Sequence, residues 1–231
     1  MGYLRFAGIA LAVQLAACSD APETRNANEA APTPAAAHNV GEAAQNAKLV
    51  VAFGDSLYAG YQLPQDQGFA PELQRALAAN GVDADVRNAG VSGDTSAAGL
   101  ARLAFTLDGY DRTPDLVVLG LGGNDMLRGL SPAETRKNMV AILDELRRRE
   151  IPAVLTGMIA SPNMGADYAR EFNAIFPELA AEYDAPLYPF FLDGVITDST
   201  LMLPDGIHPN EAGVDAVVAK VAPVVADALR D

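Results

Sequence analysis

The chain has 231 residues, half of them hydrophobic and a fifth charged, which is typical of one globular α/β domain and excludes a wholly disordered chain. Its net charge is −14, and its only basic cluster is residues 147–149, so we expect no nucleic-acid partner. With one cysteine and two histidines it can form neither an internal disulfide nor a His-rich zinc site, and we expect no metal and no cofactor.

Residues 1–18 have the pattern of a signal peptide. Arg5 precedes an apolar run over residues 6–17, which is shorter than a membrane span. The run ends in Leu15-Ala16-Ala17-Cys18, which resembles a bacterial lipobox. We therefore predict an exported lipoprotein, anchored to a bacterial membrane on its periplasmic side by a lipid on Cys18. Because Ser19 rather than Asp follows Cys18, the outer membrane is favoured. A cleaved signal peptide and a soluble periplasmic protein form the alternative.

Residues 19–47 are predicted to form a disordered tether. They are rich in Ala, Pro, Glu, Asn and Thr and lack apolar periodicity, so they cannot bury enough surface to offset the loss of chain entropy. His38 lies in this segment, and we assign it no role. The folded domain is predicted to span residues 48–231.

Apolar segments and amphipathic segments alternate through this domain. Short runs rich in Val and Leu predict five buried strands over residues 48–53, 84–88, 116–120, 153–157 and 186–190. A helix is predicted over residues 131–149, with Ser131 as N-cap, Pro132 in the first turn and Glu134 completing a capping box. A valine stripe predicts the last helix, with Val214, Val217, Val218, Val221 and Val225 facing the core. Alternation of this kind indicates an α/β fold with a parallel sheet covered by helices on both faces.

A serine follows the first predicted strand. Gly54-Asp55-Ser56-Leu57 places a hydroxyl at the carboxyl end of that strand, where open α/β sheets bind ligands. A serine nucleophile needs a histidine base, and His208 is the only histidine in the predicted domain. Asp205, three residues earlier, can orient its ring. The alternatives are that Ser56 only caps a helix and that His208 is an ordinary loop residue.

Two glycine-containing segments follow the second and third strands and offer donors to a developing oxyanion. Residues 88–95 contain Gly90 and Gly93, and residues 122–125 contain Asn124. Each such donor is worth roughly 3 kcal/mol in the transition state of acyl transfer. Glycine-rich turns without a functional role are the alternative explanation for both segments.

Four motifs in this order, Gly-Asp-Ser-Leu, Ser-Gly-Asp-Thr, Gly-Gly-Asn-Asp and Asp-Gly-Ile-His-Pro, resemble those of the SGNH (GDSL) hydrolase family. The resemblance covers residues 48–229 and is greatest to the bacterial periplasmic branch of acyl thioesterases, arylesterases and lysophospholipases. It implies a flavodoxin-like α/β/α sandwich with a parallel sheet of about five strands.

The resemblance also implies roles for individual residues. Ser56 would be the nucleophile, His208 the base and Asp205 the residue that orients His208. The oxyanion donors would be the backbone amides of Ser56 and Gly93 and the side chain of Asn124, with Gly90 as the alternative glycine.

The implied activity is hydrolysis of carboxylic esters or thioesters, such as acyl esters, acyl thioesters or lysophospholipids, through an acyl-serine. We expect a small acyl ester as substrate and no protein partner. Apolar side chains near the strand ends are candidates for an acyl pocket or belong to the core: Leu57, Met126, Met158, Ile159, Met164 and Ile207. The alternatives are a carbohydrate or peptidoglycan O-acetyl esterase and a non-catalytic surface lipoprotein. A glycosidase using Asp55 and Asp125 matches the sequence less well, and Asp55 is expected to support the turn.

Overall fold

The computed structural model of the chain describes residues 47–230. The predicted signal peptide with Cys18, the predicted tether as far as residue 46 with His38, and Asp231 lie outside the described residues. Ala47, the last residue of the predicted tether, is described and is buried. No helix within residues 47–230 combines the length and the apolar character needed to cross a membrane.

Five parallel strands form one sheet in the order β2-β1-β3-β4-β5. They are β1 (Lys48–Gly54), β2 (Ala84–Gly90), β3 (Leu116–Gly120), β4 (Ala153–Thr156) and β5 (Leu187–Tyr188). All five predicted strands are present, but β5 has two residues instead of five. Pro186 and Pro189 flank it and have no amide hydrogen to donate to a strand ladder, which limits its length.

Seven α-helices connect and follow the strands within the described residues: α1 (Ser56–Ala59), α2 (Phe69–Ala79), α3 (Ser96–Asp108), α4 (Gly123–Leu127), α5 (Pro132–Arg148), α6 (Ala166–Tyr183) and α7 (Glu211–Ala228). Helix α5 begins as predicted, because the Ser131 hydroxyl accepts a hydrogen bond from the Glu134 amide at 3.2 Å. The predicted capping box is not closed, since the Glu134 carboxylate lies 3.6 Å from the Lys137 ammonium instead.

Helices cover both faces of the sheet. Val50 of β1 packs on one face with buried residues of α2 and α7, including the five predicted valines of α7. Val51 of β1 packs on the other face with buried residues of α3, α5 and α6. Successive side chains of a strand point to opposite faces, so the continuous apolar run of β1 serves two cores. The predicted three-layer α/β/α sandwich is confirmed.

Three glycines bring α1 close to the carboxyl edge of the sheet. Gly54, Gly90 and Gly120 end β1, β2 and β3 and are aligned in register. A Cβ at Gly54 or Gly120 would lie 2.5 or 2.3 Å from the ring of Tyr58, and one at Gly90 would lie 2.3 Å from the Ala59 nitrogen. β1 lies between β2 on one side and β3 on the other, so the chain connections from these strands run in opposite directions across the sheet. Open α/β sheets leave a crevice at such a topological switch point, outside the carboxyl ends of the strands. The three glycines therefore place Ser56 at that crevice.

Candidate active site

Ser56 is the first residue of α1, and Asp55 rather than Ser56 is the N-cap of this helix. The Asp55 carboxylate accepts a hydrogen bond from the Leu57 amide at 3.0 Å. The alternative in which Ser56 caps the helix is therefore wrong, and the expected support of the turn by Asp55 is confirmed. The Ser56 hydroxyl remains available to a side chain outside the helix.

The structure brings Ser56, His208 and Asp205 together in one line. Nε2 of His208 lies 2.8 Å from Oγ of Ser56, and Nδ1 lies 2.7 Å from Oδ2 of Asp205. Oδ1 of Asp205 accepts the amides of Ile207 and His208 at 2.9 and 3.0 Å. The ring of Tyr61 packs on the ring of His208, with their centroids 4.2 Å apart. The loop that contains Asp205 and the ring of Tyr61 therefore fix the position of His208. Both ring nitrogens of His208 contact side chains, so the alternative of a loop histidine bonded to backbone groups is wrong.

The electrostatics of this line favour an ionised aspartate beside the imidazole. Burial opposes ionisation of Asp205, but the hydrogen bonds from the Ile207 and His208 amides and from the His208 ring outweigh it and lower the pKa of Asp205 to about 2. Asp205 is therefore charged at neutral pH. A carboxylate at Nδ1 keeps the proton on that nitrogen and leaves Nε2 free to accept one from Ser56.

The backbone amides of the two candidate glycines, Gly93 and Gly90, differ in their hydrogen-bond partners. Gly93 adopts a left-handed conformation with φ of +86°, and within residues 47–230 its amide donates to no protein acceptor. The Gly90 amide, by contrast, donates to Oδ1 of Asn88 at 2.8 Å. Gly93 lines the same cavity as Ser56 and His208, whereas Gly90 packs under α1. The geometry favours Gly93 over Gly90.

The carboxamide of Asn124 lies at the carboxyl edge of the sheet, on α4. Its nitrogen donates to the carbonyl of Asp94 at 3.0 Å and lies 3.3 Å from Oδ2 of Asp55. Burial, partly opposed by the Leu57 amide, His208 and Asn124, raises the pKa of Asp55 to about 6. Asp55 thus connects the turn that carries Ser56 with the side chain of Asn124.

Arg102, which the sequence did not predict as a site residue, joins two parts of the site. Its Nε donates to Asp94 at 2.6 Å and its terminal nitrogen donates to the carbonyl of Gly54 at 3.0 Å. Its guanidinium also lies over the ring of Phe53, 4.0 Å from the centroid. The one available signal was that Arg102 is the only basic residue of α3. Arg102 ties the end of β1 to the turn that follows β2.

Asp125 has a structural role. It is fully buried and accepts hydrogen bonds from the amide and hydroxyl of Ser96 and, at 3.2 Å, from the hydroxyl of Thr135. These bonds join α3, α4 and α5, so Asp125 is not exposed to a substrate as a two-carboxylate glycosidase requires. Among residues 47–230, no three carboxylate, imidazole or thiol side chains group as ligands for a metal ion.

A mainly apolar cavity of about 450 Å³ opens beside Ser56 and His208. Four of the six predicted apolar residues line it: Leu57, Met126, Met158 and Ile207. Ile159 is exposed and Met164 packs against the core, so neither lines the cavity. Four further apolar residues that the sequence did not predict line the cavity, and they come from other segments of the same edge: Tyr61, Leu127, Leu192 and Ile196.

Residues 52–216 match the model of the GDSL-like lipase/acylhydrolase family. The esterase TesA of Pseudomonas aeruginosa is 40% identical over 184 residues, which cover 80% of this chain and 90% of TesA. Thioesterase 1/protease 1/lysophospholipase L1 of Escherichia coli K12 is 38% identical over 164 residues, covering 71% and 76% of the two chains. The crystal structure of AlinE4, described as an SGNH-hydrolase family esterase, matches with 50% identity and a TM-score of 0.68, covering 79% of this chain and 96% of AlinE4. The chain therefore belongs to the GDSL-like lipase/acylhydrolase family and is a hydrolase of the GDSL type.

Proposed function

We propose that this protein is a serine esterase that hydrolyses carboxylic esters or thioesters through an acyl-serine intermediate. The observation that carries the proposal is the continuous line of hydrogen bonds from Ser56 to His208 at 2.8 Å and from His208 to Asp205 at 2.7 Å. A serine alcohol is a weak nucleophile at neutral pH and becomes reactive when a correctly oriented imidazole accepts its proton.

In the first half-reaction, Oγ of Ser56 attacks the carbonyl carbon while Nε2 of His208 takes the hydroxyl proton. Asp205 stabilises the resulting imidazolium through Nδ1. The negative carbonyl oxygen accepts hydrogen bonds from the amides of Ser56 and Gly93 and from Nδ2 of Asn124. When the tetrahedral intermediate collapses, Nε2 gives its proton to the leaving alcohol or thiol, and the acyl-serine remains.

In the second half-reaction, water replaces the leaving group. Nε2 of His208 takes a proton from the water as the water oxygen attacks the acyl carbon, and returns that proton to Oγ of Ser56 when the carboxylic acid leaves.

Asn124 has two amide hydrogens. The bond to Asp94 fixes the carboxamide, and we assign the second hydrogen, whose contact with Asp55 is long at 3.3 Å, to the oxyanion.

The cavity supports an apolar acyl group as the bound part of the substrate. Its lining surface is mostly apolar and includes seven aliphatic or thioether side chains, and its volume of about 450 Å³ exceeds what an acetyl group needs. The names of the relatives, an esterase and a thioesterase/lysophospholipase, support acyl esters, acyl thioesters and lysophospholipids as substrate classes. The same lining argues against the O-acetyl esterase alternative. Because a binding module has no physical need for the aligned Ser56, His208 and Asp205, the geometry also argues against a non-catalytic role.

A chromogenic ester series from acetyl to palmitoyl tests the proposal. We expect the wild-type protein to hydrolyse these esters and to be labelled stoichiometrically by a fluorophosphonate. Ser56→Ala should lose both the turnover and the labelling. Ser161→Ala is the matched control, because Ser161 lines the same cavity but is outside the line of hydrogen bonds. Substantial turnover by folded Ser56→Ala would show that Ser56 is not the nucleophile.

We further propose that the protein is exported and anchored on the periplasmic side of a bacterial membrane by a lipid on Cys18. The support is the apolar run over residues 6–17 followed by the lipobox-like Leu15-Ala16-Ala17-Cys18. Mass spectrometry of the N-terminal peptide of the protein made in a bacterial host is the test. We expect a lipid-modified Cys18 as the first residue, and an unmodified terminus after Cys18 would leave the alternative of a soluble periplasmic protein.

A further inference from the structure

The exposed large hydrophobic side chains of the described residues are concentrated at one edge of the sheet. There are eight, and all except Phe105 follow the carboxyl end of a strand or adjoin His208. Because the five strands are parallel, their carboxyl ends share one edge. We call these seven residues the apolar rim: Tyr61, Val91, Leu127, Leu130, Ile159, Ile196 and Ile207.

The apolar rim is continuous with the catalytic cavity. Tyr61, Leu127, Ile196 and Ile207 line the cavity, and each of the other three lies within three residues of a lining residue. Single exposed hydrophobic residues are normal on a protein surface, but a group of them around one cavity marks a binding surface.

The segments that carry the apolar rim contain few charges. Residues 61–64, 91–93, 127–130, 159–165, 196–201 and 204–207 include only three charged side chains, Arg128, Asp198 and Asp205, although the whole chain carries a net charge of −14. The guanidinium of Arg128 donates to the carbonyl of Gly93 and Asp205 is bonded to His208. An almost neutral, apolar edge on an acidic protein matches a surface that is itself electrically neutral. Anionic lipid would repel the rest of the molecule.

We propose that the apolar rim docks on a zwitterionic lipid surface, so that the cavity opens onto the membrane and acyl chains enter it from the lipid. A protein partner or a second copy seated on the rim would close the cavity that Ser56 and His208 face, whereas a lipid surface supplies amphiphilic substrate to it. This inference rests on the proposed esterase function and adds the place from which the substrate comes.

The length of the N-terminal segment is compatible with this orientation. The described chain enters β1 at Lys48, at the amino edge of the sheet, which is about 23 Å from the carboxyl edge for a seven-residue strand. Residues 19–46 comprise 28 residues. As the predicted tether they would span about 30 Å on average and about 90 Å when extended. A chain anchored at Cys18 can therefore pass the domain and let the apolar rim face the same membrane.

Tryptophan fluorescence tests the docking directly, because the chain contains no Trp. Ile196→Trp places a single reporter on the rim. Phe105→Trp is the matched control, since Phe105 is 85% exposed near the end of α3, which returns toward the amino edge of the sheet. In phosphatidylcholine vesicles with brominated acyl chains, we expect the emission of Ile196→Trp in the full mature chain to shift to the blue and to be quenched, and that of Phe105→Trp to stay unchanged.

Other outcomes overturn the docking. Equal quenching of both reporters, or of neither, would show that the rim does not face the lipid, and a blue shift that grows with protein concentration without vesicles would assign the rim to a second copy. Leu127→Trp repeats the measurement if Ile196→Trp does not fold. Turnover of a soluble short-chain ester by the wild-type protein separates the two proposals. An active wild type whose Ile196→Trp variant is not quenched refutes only the docking, and an inactive wild type whose Ile196→Trp variant is quenched refutes the esterase.

Charge substitutions outside the cavity give a functional readout. Leu130→Glu combined with Ile159→Glu should lower turnover of an ester embedded in phosphatidylcholine vesicles at least about tenfold and leave turnover of the soluble ester unchanged. Neither residue lines the cavity. An equal loss on both substrates, or no loss on either, would contradict docking through the apolar rim.

Discussion

Replacing Asp205 with asparagine tests the proposed proton relay with little change in shape. Oδ1 of Asp205 accepts two backbone amides, at 2.9 and 3.0 Å, so the oxygen of an asparagine will keep that position. The asparagine nitrogen then faces Nδ1 of His208, where Oδ2 lies at 2.7 Å in the wild type. Since this nitrogen donates, Nδ1 must accept and the ring proton moves to Nε2. His208 can then no longer take a proton from Ser56.

Two contributions set the expected loss of activity. Turning the asparagine to restore the correct tautomer would break two backbone hydrogen bonds, at about 1 to 1.5 kcal/mol each. Removing the carboxylate charge from beside the imidazolium costs about 4 kcal/mol for charges 4 Å apart at an effective dielectric constant of 20, which we halve because 34% of the Asp205 side chain is exposed. The total of about 5 kcal/mol corresponds to a loss of roughly 10³- to 10⁴-fold in kcat.

Steady-state kinetics on a soluble aryl ester measure this loss. We expect kcat of Asp205→Asn to fall by that factor, KM to change less than about threefold, and Tm to remain near the wild-type value because the backbone acceptor is retained. Asp198→Asn is the matched control, because Asp198 also accepts the amide of the residue two positions later, that of Thr200, but touches no proposed catalytic residue. If folded Asp205→Asn keeps kcat within tenfold of the wild type, the assignment of Asp205 is wrong.

Substitutions at three further residues test other parts of the site. Asn124→Ala should lower kcat by about 10² to 10³ with little change in KM, since one oxyanion donor is lost, and an unchanged kcat would remove Asn124 from that role. Arg102→Met keeps an unbranched apolar stem but loses the hydrogen bonds to Asp94 and Gly54, so it should lower kcat about tenfold and leave KM within twofold. Arg102→Lys should recover part of the lost kcat. A lower Tm with normal kcat would indicate a purely structural arginine. For Asp55, a pKa raised from 3.8 to about 6 means that the contribution of this carboxyl to the stability of the wild type falls by on the order of 3 kcal/mol as pH rises from about 4 through about 6. Asp55→Asn does not titrate, so urea unfolding at pH 4 and pH 7.5 should show its stability rising by that amount relative to the wild type, and an equal difference at both values would refute the burial argument.

The sequence by itself determined the five strands, two of the seven described helices and the motifs, because these depend on local patterns. Apolar runs located all five strands, and Ser131 with Pro132 located the start of α5. The first three motifs each follow a strand, which also predicted a common edge, since parallel strands end together. His208 was the only histidine of the predicted domain, with Asp205 three residues earlier. Ser56, His208 and Asp205 were therefore candidates before the structure showed their contacts.

The tertiary structure decided what depends on distant residues and on backbone conformation. Gly93 is distinguished from Gly90 by an amide without a protein acceptor within residues 47–230, which the sequence of the turn does not encode. Arg102 acquires its role only where α3 lies against the end of β1. The residues that line the cavity come from separate loops, so their grouping around Ser56 follows from the order of the strands and not from any local pattern. Local periodicity specifies which face of an element is buried, whereas the packing of elements specifies which side chains meet.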